Sequence, residues 1–103
     1  MTKTKRMSLS DICKAMKVEI TRKFKKQVES CDNTIIKKKV GIIVLEVMNT
    51  HSLTEIKGIK KLRTDGSYFR IRVNDYRIGI CLKNDTVIFA AFDHRSDIYK
   101  YFP

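Results

Sequence analysis

The sequence predicts an α+β fold, a small single domain in which an antiparallel β-sheet packs against a helical hairpin. Three observations predict it. Residues 34–50 carry apolar side chains at helical spacing, residues 67–92 alternate apolar and polar side chains through three short segments, and the motifs VNDY and KNDT separate those segments as tight turns. The chain has 103 residues, which allows one modest core but not two.

Local patterns assign the N-terminal part of the chain. Residues 1–15 begin with a basic tail and are expected to be an extension, disordered or a short helix, so that the domain spans 16–103. The stretch KVEIT at 17–21 alternates as a first strand does, and we expect it to join the sheet. Thr21 can then cap a short basic helix in which Phe24, Val28 and Cys31 face one way.

A second helix is expected over residues 34–50. Its apolar stripe consists of Ile36, Val40, Ile43, Val44, Val47 and Met48. Many of these residues are β-branched, so a strand over 42–47 is an alternative, although length and periodicity favour the helix. The connection over 51–66 carries turn signals at Gly58 and TDG, and the final HRSDIYKYFP, with Ile98 and Phe102 at helical spacing, predicts a short C-terminal helix.

The chain is strongly basic, with a formal net charge of +11, and its surface should attract nucleic acid, an acidic protein or an anionic membrane. Cys13, Cys31 and Cys81 have no CxxC spacing, which supports neither a disulfide framework nor a zinc site and fits a reducing compartment. The longest apolar run, 42–45, is too short to cross a bilayer, and the N-terminus lacks a signal-peptide pattern. We therefore expect a cytoplasmic protein without a metal or cofactor.

The stretch SYFRIRVNDYRIGICL places three arginines on one face of the predicted sheet. A two-residue turn of Asn74 and Asp75 pairs Arg72 with Arg77 and leaves Arg70 on the same face. The side chains that then face the helices are Phe69, Ile71, Val73, Tyr76, Ile78 and Ile80. Arg72 opposite Arg77 is a like-charge pair that costs about 0.2–1 kcal/mol, which suggests an anion between them. A solvated face that keeps a small protein soluble is the alternative explanation.

The same pairing can be carried through the turn at residues 84–85. It gives the pairs Leu82 and Val87, Ile80 and Phe89, Ile78 and Ala91. On the opposite face it sets Arg77 against Phe92 and Gly79 against Ala90. This register predicts a low floor of small residues beside positive charge, on which the backbone of a polyanion could lie.

The segments KKLRTDGSYFRIRVNDYRIGI and HRSDIYKYFP resemble the RelE/ParE family of toxins from bacterial and archaeal toxin–antitoxin modules. The resemblance runs from about Met16 to Pro103, and the elements RIRV, NDYRI and HRSDIY, in this order after a helical hairpin, carry it. Because MKVEIT resembles the usual start of such toxins, Met16 is a candidate natural initiator. Asn74 stands where many relatives have Gly, and Asn also adopts positive φ.

The resemblance implies a RelE-like fold. For the RelE branch it also implies a ribonuclease that cuts mRNA in the ribosomal decoding site and a cognate antitoxin that wraps and inhibits it. In such cleavage the ribose 2′-OH attacks the adjacent phosphate, so the site needs a base, cations for the phosphorane charge and an acid for the 5′-oxygen, but no metal. The expected partners are the antitoxin, mRNA on the ribosome, 16S rRNA phosphates, and operator DNA through the antitoxin alone. No membrane is expected.

We expect Arg70, Arg72, Lys61 and Arg63 to bind the substrate. By the resemblance, Arg70 and Arg72 stand where the family places basic residues on the first hairpin strand. A guanidinium binds phosphate in a bidentate manner and stays charged, so these residues suit phosphate binding but not proton abstraction.

The candidate catalytic residues are Arg77, Tyr99, His94 and Arg95. By the resemblance, Arg77 is the family's DYR arginine and would stabilise the transition state, and Tyr99 is its C-terminal catalytic tyrosine. His94 and Tyr99 are the candidate bases, because an imidazole titrates near neutrality and a tyrosine can ionise in strongly positive surroundings. Asp93 departs from the family, since some relatives carry a basic residue there.

Two other functions stay open beside the ribonuclease. The ParE branch of the family poisons DNA gyrase through protein contacts, although it generally lacks the basic residues and the C-terminal tyrosine found here. The second alternative is a catalytically decayed toxin that acts only in a complex with its antitoxin and operator DNA. Lysines 37–39 are expected to form a solvated helix face or to contact ribosomal RNA phosphates.

Overall fold

The computed structural model describes residues 17–62 and 67–102. Its elements, in chain order, are β1 (Lys17–Ile20), α1 (Arg22–Glu29), α2 (Thr34–Met48), a 3₁₀ turn (Leu53–Glu55), β2 (Ile59–Lys61), β3 (Tyr68–Val73), β4 (Tyr76–Lys83), β5 (Thr86–His94) and α3 (Arg95–Ile98). The predicted extension over 1–15, the candidate start at Met16 and the predicted substrate residue Arg63 lie outside the described residues.

Both long helices begin at a polar side chain that accepts a backbone hydrogen bond. The Thr21 hydroxyl accepts from the Phe24 N–H at 3.1 Å, and the Asn33 side chain accepts from the Ile36 N–H at 3.1 Å. Such caps satisfy donors that have no partner within the first turn of a helix. The helix predicted over 34–50 is confirmed at Thr34–Met48, and the alternative strand over 42–47 does not form.

The predicted α+β fold is confirmed, and the sheet order is β1-β5-β4-β3-β2. Two details of the sheet differ from the prediction. β1 pairs with β5 in parallel rather than antiparallel orientation, because the additional strand β2 precedes the predicted three-stranded meander and adds one antiparallel reversal of the chain. The three-residue edge strand β2 was not predicted, since so short a segment between turns has no readable period.

The register predicted for the first hairpin is confirmed. Arg72 pairs with Arg77, and the pairs on either side follow as expected. Asn74 and Asn84, the first residues of the two turns, have φ values of 56° and 57°, the left-handed conformation that asparagine tolerates better than most residues. The alternation of buried and cationic residues along β3 is therefore fixed by the turn.

The register predicted for the second hairpin is confirmed near the turn and wrong beyond it. A β-bulge shifts the pairing between Gly79 and Ile80, so that Arg77 lies opposite Asp93 rather than Phe92, and Gly79 lies opposite Ala91. Ile78 accordingly pairs with Phe92 instead of Ala91. The extra residue turns the Phe92 ring into the core, where its centroid lies 6.4 Å from that of Phe24. Without the bulge, a phenylalanine would lie beside the arginines.

The core lies between the helical hairpin and one face of the sheet. Its fully buried side chains are Val47, Ile71, Ile78, Ile80, Val87, Phe89 and Phe92. Ile98 is also fully buried but stands apart from this cluster, because α3 packs on β4 and β5 outside the helical layer. None of the helices in the described ranges is long and apolar enough to cross a membrane.

We expect Ile78→Ala to lower the free energy of unfolding by about 2–5 kcal/mol, because Ile78 is fully buried and its removal leaves a cavity under the sheet. Ile42→Ala is the matched control, since this side chain is 56% exposed on α2 and its truncation should change stability by no more than about 0.5 kcal/mol. Urea unfolding of both variants measures the difference. Equal losses would contradict the described core.

Candidate functional site

A cationic cavity of about 320 Å³ opens on the sheet face that the helical hairpin leaves uncovered. We call it the arginine cavity; its lining is Gly58, Ile59, Lys60, Arg70, Arg72, Arg77 and Tyr99. Four of these side chains are cationic and none is a carboxylate. Within residues 17–62 and 67–102, no three His, Cys, Asp or Glu side chains lie together as a metal would need. The described lining therefore suits an anion.

Arg70 lies across the aromatic ring of Tyr99, with its guanidinium carbon 4.2 Å from the ring centroid. This is a cation–π contact, and it joins the middle of β3 to the residue that follows α3. The Arg70 Nη1 atom is buried and has no hydrogen-bond acceptor among the described residues. Leaving such a donor unsatisfied costs about 1–3 kcal/mol.

Arg77 is held by the backbone of its own hairpin. Its Nη1 donates to the carbonyl oxygens of Asn74 and Tyr76, each at 2.9 Å. Arg72 is its cross-strand partner, and both residues line the arginine cavity. The like-charge pair predicted from the sequence is therefore present in the fold, and a phosphate is the kind of group that can bridge two such cations.

Asp93 forms no ion pair with Arg77 within the described residues, although the two residues are cross-strand partners. Its Oδ1 accepts from the His94 N–H, and its Oδ2 accepts from the Tyr101 hydroxyl at 2.9 Å. Gln27 donates to that same hydroxyl at 2.8 Å from α1. Burial, together with the hydrogen bond to Asp93, raises the pKa of Tyr101, outweighing the opposite effect of Gln27. Tyr101 therefore stays protonated and donates a hydrogen bond to the Asp93 carboxylate.

Two adjacent lysines of β2 lie on opposite faces of the sheet. Lys60 pairs with Arg70 and lines the arginine cavity, whereas Lys61 pairs with the core residue Phe69 and therefore points to the helical side. The structure thus does not bring the predicted substrate residue Lys61 to the arginines. It brings Lys60 instead, which the sequence reasoning missed because β2 was not recognised.

His94 and Arg95 do not line the arginine cavity. His94 pairs with Tyr76 on the helical side, its ring centroid lies 5.8 Å from that of Tyr76, and its Nδ1 accepts from the Ser96 N–H at 3.3 Å to cap α3. The Arg95 N–H donates to the Asp75 carbonyl at 2.8 Å, and its side chain is exposed at the start of α3. Among the four predicted catalytic residues, only Arg77 and Tyr99 therefore meet.

The sequence predicted an open surface of small residues beside the arginines, but a side chain of the C-terminal segment covers it. The Phe102 ring lies over Gly79, so close that a Cβ atom at this position would stand 2.9 Å from three ring carbons. The same ring makes a T-shaped contact with the ring of Tyr68, with centroids 5.8 Å apart. The sequence suggested space here because Gly79 and its neighbours are small, but the C-terminal segment folds back and occupies it.

Comparison with known proteins identifies the family. The chain is 42% identical over 89 residues to a curated toxin, Toxin RelE3 of Methanocaldococcus jannaschii, and the match covers 85% of this chain and 100% of that toxin. The chain belongs to the RelE family of toxins. The resemblance seen in its RIRV and NDYRI segments is thereby confirmed, whereas a scan against protein-family models finds no match.

Solved structures support the assignment. The chain is similar to the crystal structure of a RelB-RelE antitoxin-toxin complex from Methanococcus jannaschii, with a TM-score of 0.71, 38% identity, and coverage of 82% of this chain and 99% of that one. The archaeal RelE-RelB complex from Pyrococcus horikoshii gives a TM-score of 0.65 at 17% identity, with 82% and 99% covered. This second match shows a shared fold.

The two β2 lysines provide a test of the arginine cavity. We expect Lys60→Ala to weaken binding of a single-stranded RNA oligonucleotide and to lower the slope of log affinity against log salt by about 0.7, the value for one lost phosphate contact. Lys61→Ala removes the same charge on the other face and should leave the slope unchanged. Fluorescence anisotropy over a salt series measures both. A smaller slope for Lys61→Ala alone would contradict the cavity as the anion site.

Proposed function

We propose that this protein is the toxin of a toxin–antitoxin module and that it is a metal-independent endoribonuclease acting on mRNA bound to the ribosome. The observation that carries the proposal is the arginine cavity, in which four cations and one phenol converge and a buried guanidinium N–H has no partner among the described residues. A phosphodiester would supply negative charge to these cations and oxygen acceptors to the unpaired N–H group.

The proposed reaction is an internal transesterification. The ribose 2′-oxygen attacks the adjacent phosphorus, the bond from phosphorus to the 5′-oxygen breaks, and the products are a 2′,3′-cyclic phosphate and a free 5′-hydroxyl. A proton leaves the 2′-hydroxyl for a base, and another is given to the departing 5′-oxygen. The phosphorane transition state carries extra negative charge on its equatorial oxygens, and fixed cations stabilise it more than they stabilise the substrate.

The four cations of the cavity and Tyr99 each have a role in this scheme. Arg70 and Arg72 hold the phosphate oxygens, with Lys60 on the neighbouring strand. Arg77, whose Nη1 is fixed by two backbone carbonyls, supplies the charge that stabilises the phosphorane. Tyr99 is the only lining residue in the described ranges that can exchange a proton without being a cation. We therefore assign proton transfer to its hydroxyl.

His94 and Arg95 remain predicted catalytic residues, but the geometry favours Tyr99 over both. His94 lies on the other side of the sheet from the arginine cavity, and its Nδ1 is engaged in capping α3. To reach a phosphate bound at Arg77, His94 would have to give up this cap. A His94→Gln variant separates the two candidate bases.

A cognate antitoxin is the proposed partner. Two of the solved relatives are toxins in complex with an antitoxin, and this chain offers a net charge of +11 to an acidic or amphipathic segment. α2 also exposes apolar side chains that such a segment could cover, namely Ile35, Ile42, Leu45 and Met48. Operator DNA would be reached through the antitoxin, and 16S rRNA phosphates through lysines such as those at 37–39. The proposed location is the cytoplasm.

The decisive experiment is primer extension on mRNA incubated with programmed ribosomes. Wild-type protein should cut the mRNA only when ribosomes are present. Arg77→Ala should slow cleavage by about 10²–10³-fold through loss of transition-state charge, and Tyr99→Phe by about 10²–10⁴-fold through loss of the proton-transfer group. His94→Gln should cleave at close to the wild-type rate.

Naked RNA is the control for ribosome dependence. If wild type leaves the mRNA intact at every codon tested, the ribonuclease proposal is wrong. Gyrase-dependent DNA cleavage would then identify a ParE-like poison, and its absence would leave the decayed toxin. If His94→Gln is as impaired as Tyr99→Phe, the assignment of proton transfer to Tyr99 alone fails.

A further inference from the structure

The segment after α3 has little internal stability. α3 has four residues, and a single turn does not persist in water without tertiary contacts. Ile98 anchors it at one point, since this side chain is fully buried, and the N–H groups of Tyr101 and Phe102 donate to the Ile98 carbonyl at 3.3 and 3.0 Å. One buried point does not fix the direction of the exposed Tyr99 ring.

Phe102 fixes the segment on the side of the arginine face. Its ring rests on Gly79 and makes a T-shaped contact with the ring of Tyr68. Gly79 does not have a positive φ, so the backbone conformation does not require glycine at this position. What requires it is the approach of the Phe102 ring, because a Cβ atom would stand 2.9 Å from three of its carbons.

Tyr101 fixes the segment on the side of α1. Its hydroxyl donates to Asp93 and accepts from Gln27, and the ammonium of Lys23 lies 3.9 Å from the centroid of its ring. These contacts join the C-terminal segment to β5 and to α1. Tyr99 lies between Ile98 and these two attachments along the chain, and the residue is 59% exposed although its ring contacts Arg70.

We propose that Tyr101 and Phe102 are positioning residues, which hold the turn after Ile98 so that the Tyr99 ring stays across Arg70 in the arginine cavity. The consequence for cleavage rests on the proposed function, whereas the position of the ring does not. Neither residue lines the cavity, so their loss should alter the placement of Tyr99 but leave the phosphate-binding cations unchanged. Misplacing a reacting group by about 1 Å can cost about 10²-fold in rate.

The first test measures the ring position directly by NMR. In wild type, the ring current of Tyr99 should shift the side-chain Nε–H signal of Arg70. The Tyr99→Ala variant gives the position of this signal in the absence of the ring. Phe102→Ala should move the signal most of the way to the Tyr99→Ala position, and Tyr101→Phe part of the way. Lys100→Ala is the matched control, because the described contact of the Lys100 side chain is an exposed ion pair with Asp97 at 3.4 Å, and it should leave the signal in place.

The second test is a double-mutant cycle on the rate of cleavage. Phe102→Ala should lower kcat by about 10–10²-fold and change KM by less than about 3-fold. Gly79→Ala should lower kcat similarly, because its Cβ atom displaces the Phe102 ring. In a Phe102→Ala background, Gly79→Ala should have less than about a 2-fold further effect, since the ring it would displace is absent.

Thermal unfolding separates positioning from loss of fold. Phe102→Ala should unfold as cooperatively as wild type, because the core lies on the other face of the sheet. An unchanged Arg70 signal in both Phe102→Ala and Tyr101→Phe would overturn the proposal, as would additive effects of Gly79→Ala and Phe102→Ala. If wild type fails to cleave RNA, the proposed function falls, and the NMR series alone decides whether these residues position Tyr99.

Discussion

The pairing of Arg72 with Arg77 across the first hairpin is the constraint on which the rest of the structure depends. Because side chains alternate along a strand, this single register sends Ile71 and Ile78 into the core and the three arginines to the opposite face. A slip by one residue would bury guanidinium groups against the helices and expose the isoleucines. The left-handed Asn74 in the turn enforces the register, so a local backbone preference fixes the cationic face.

Within the described residues, the arginines of the cationic face form no ion pair with a carboxylate. Asp93, the cross-strand partner of Arg77, accepts hydrogen bonds from the His94 N–H and the Tyr101 hydroxyl through its two carboxylate oxygens. Arg70 makes its contact with an aromatic ring rather than with an anion. Like charges in proximity cost stability, and the large apolar core on the opposite face supplies the stability that offsets this cost. The fold thus holds Arg70, Arg72 and Arg77 together at one site on the sheet.

Those parts of the fold that depend on local periodicity could be predicted from the sequence. The first hairpin and α2 belong to this class, because turn residues and apolar spacing are visible in the chain itself. The bulge in β5 could not be predicted. One extra residue between Phe89 and Phe92 does not change the local sequence pattern, and its position depends on how an aromatic ring packs in the core. The same limit explains Lys60 and Lys61: which of two adjacent lysines faces the arginines depends on an edge strand too short to show a period.

The candidate site was predicted in part for the same reason. Arg70, Arg72 and Arg77 come together because a single hairpin carries them, and Tyr99 joins them through the fold-back of a distant segment. His94 was a reasonable candidate by its chemistry, but the bulge places the end of β5 so that this ring meets Tyr76 on the helical side. Residue type predicts what a side chain can do, whereas the register decides which partners it meets.

The parallel pairing of β1 with β5 also has a consequence for how the molecule folds. Residues 17–20 find their partners at 86–89, so the sheet cannot be completed until nearly the whole domain is available. Contacts between residues so far apart in sequence are slow to form, because the loop between them must be closed before any pairing compensates for the lost chain entropy. The β3–β4 hairpin, in contrast, can form from its own residues. The cationic strands should therefore be paired early in folding, and the edge formed by β1 should be added last.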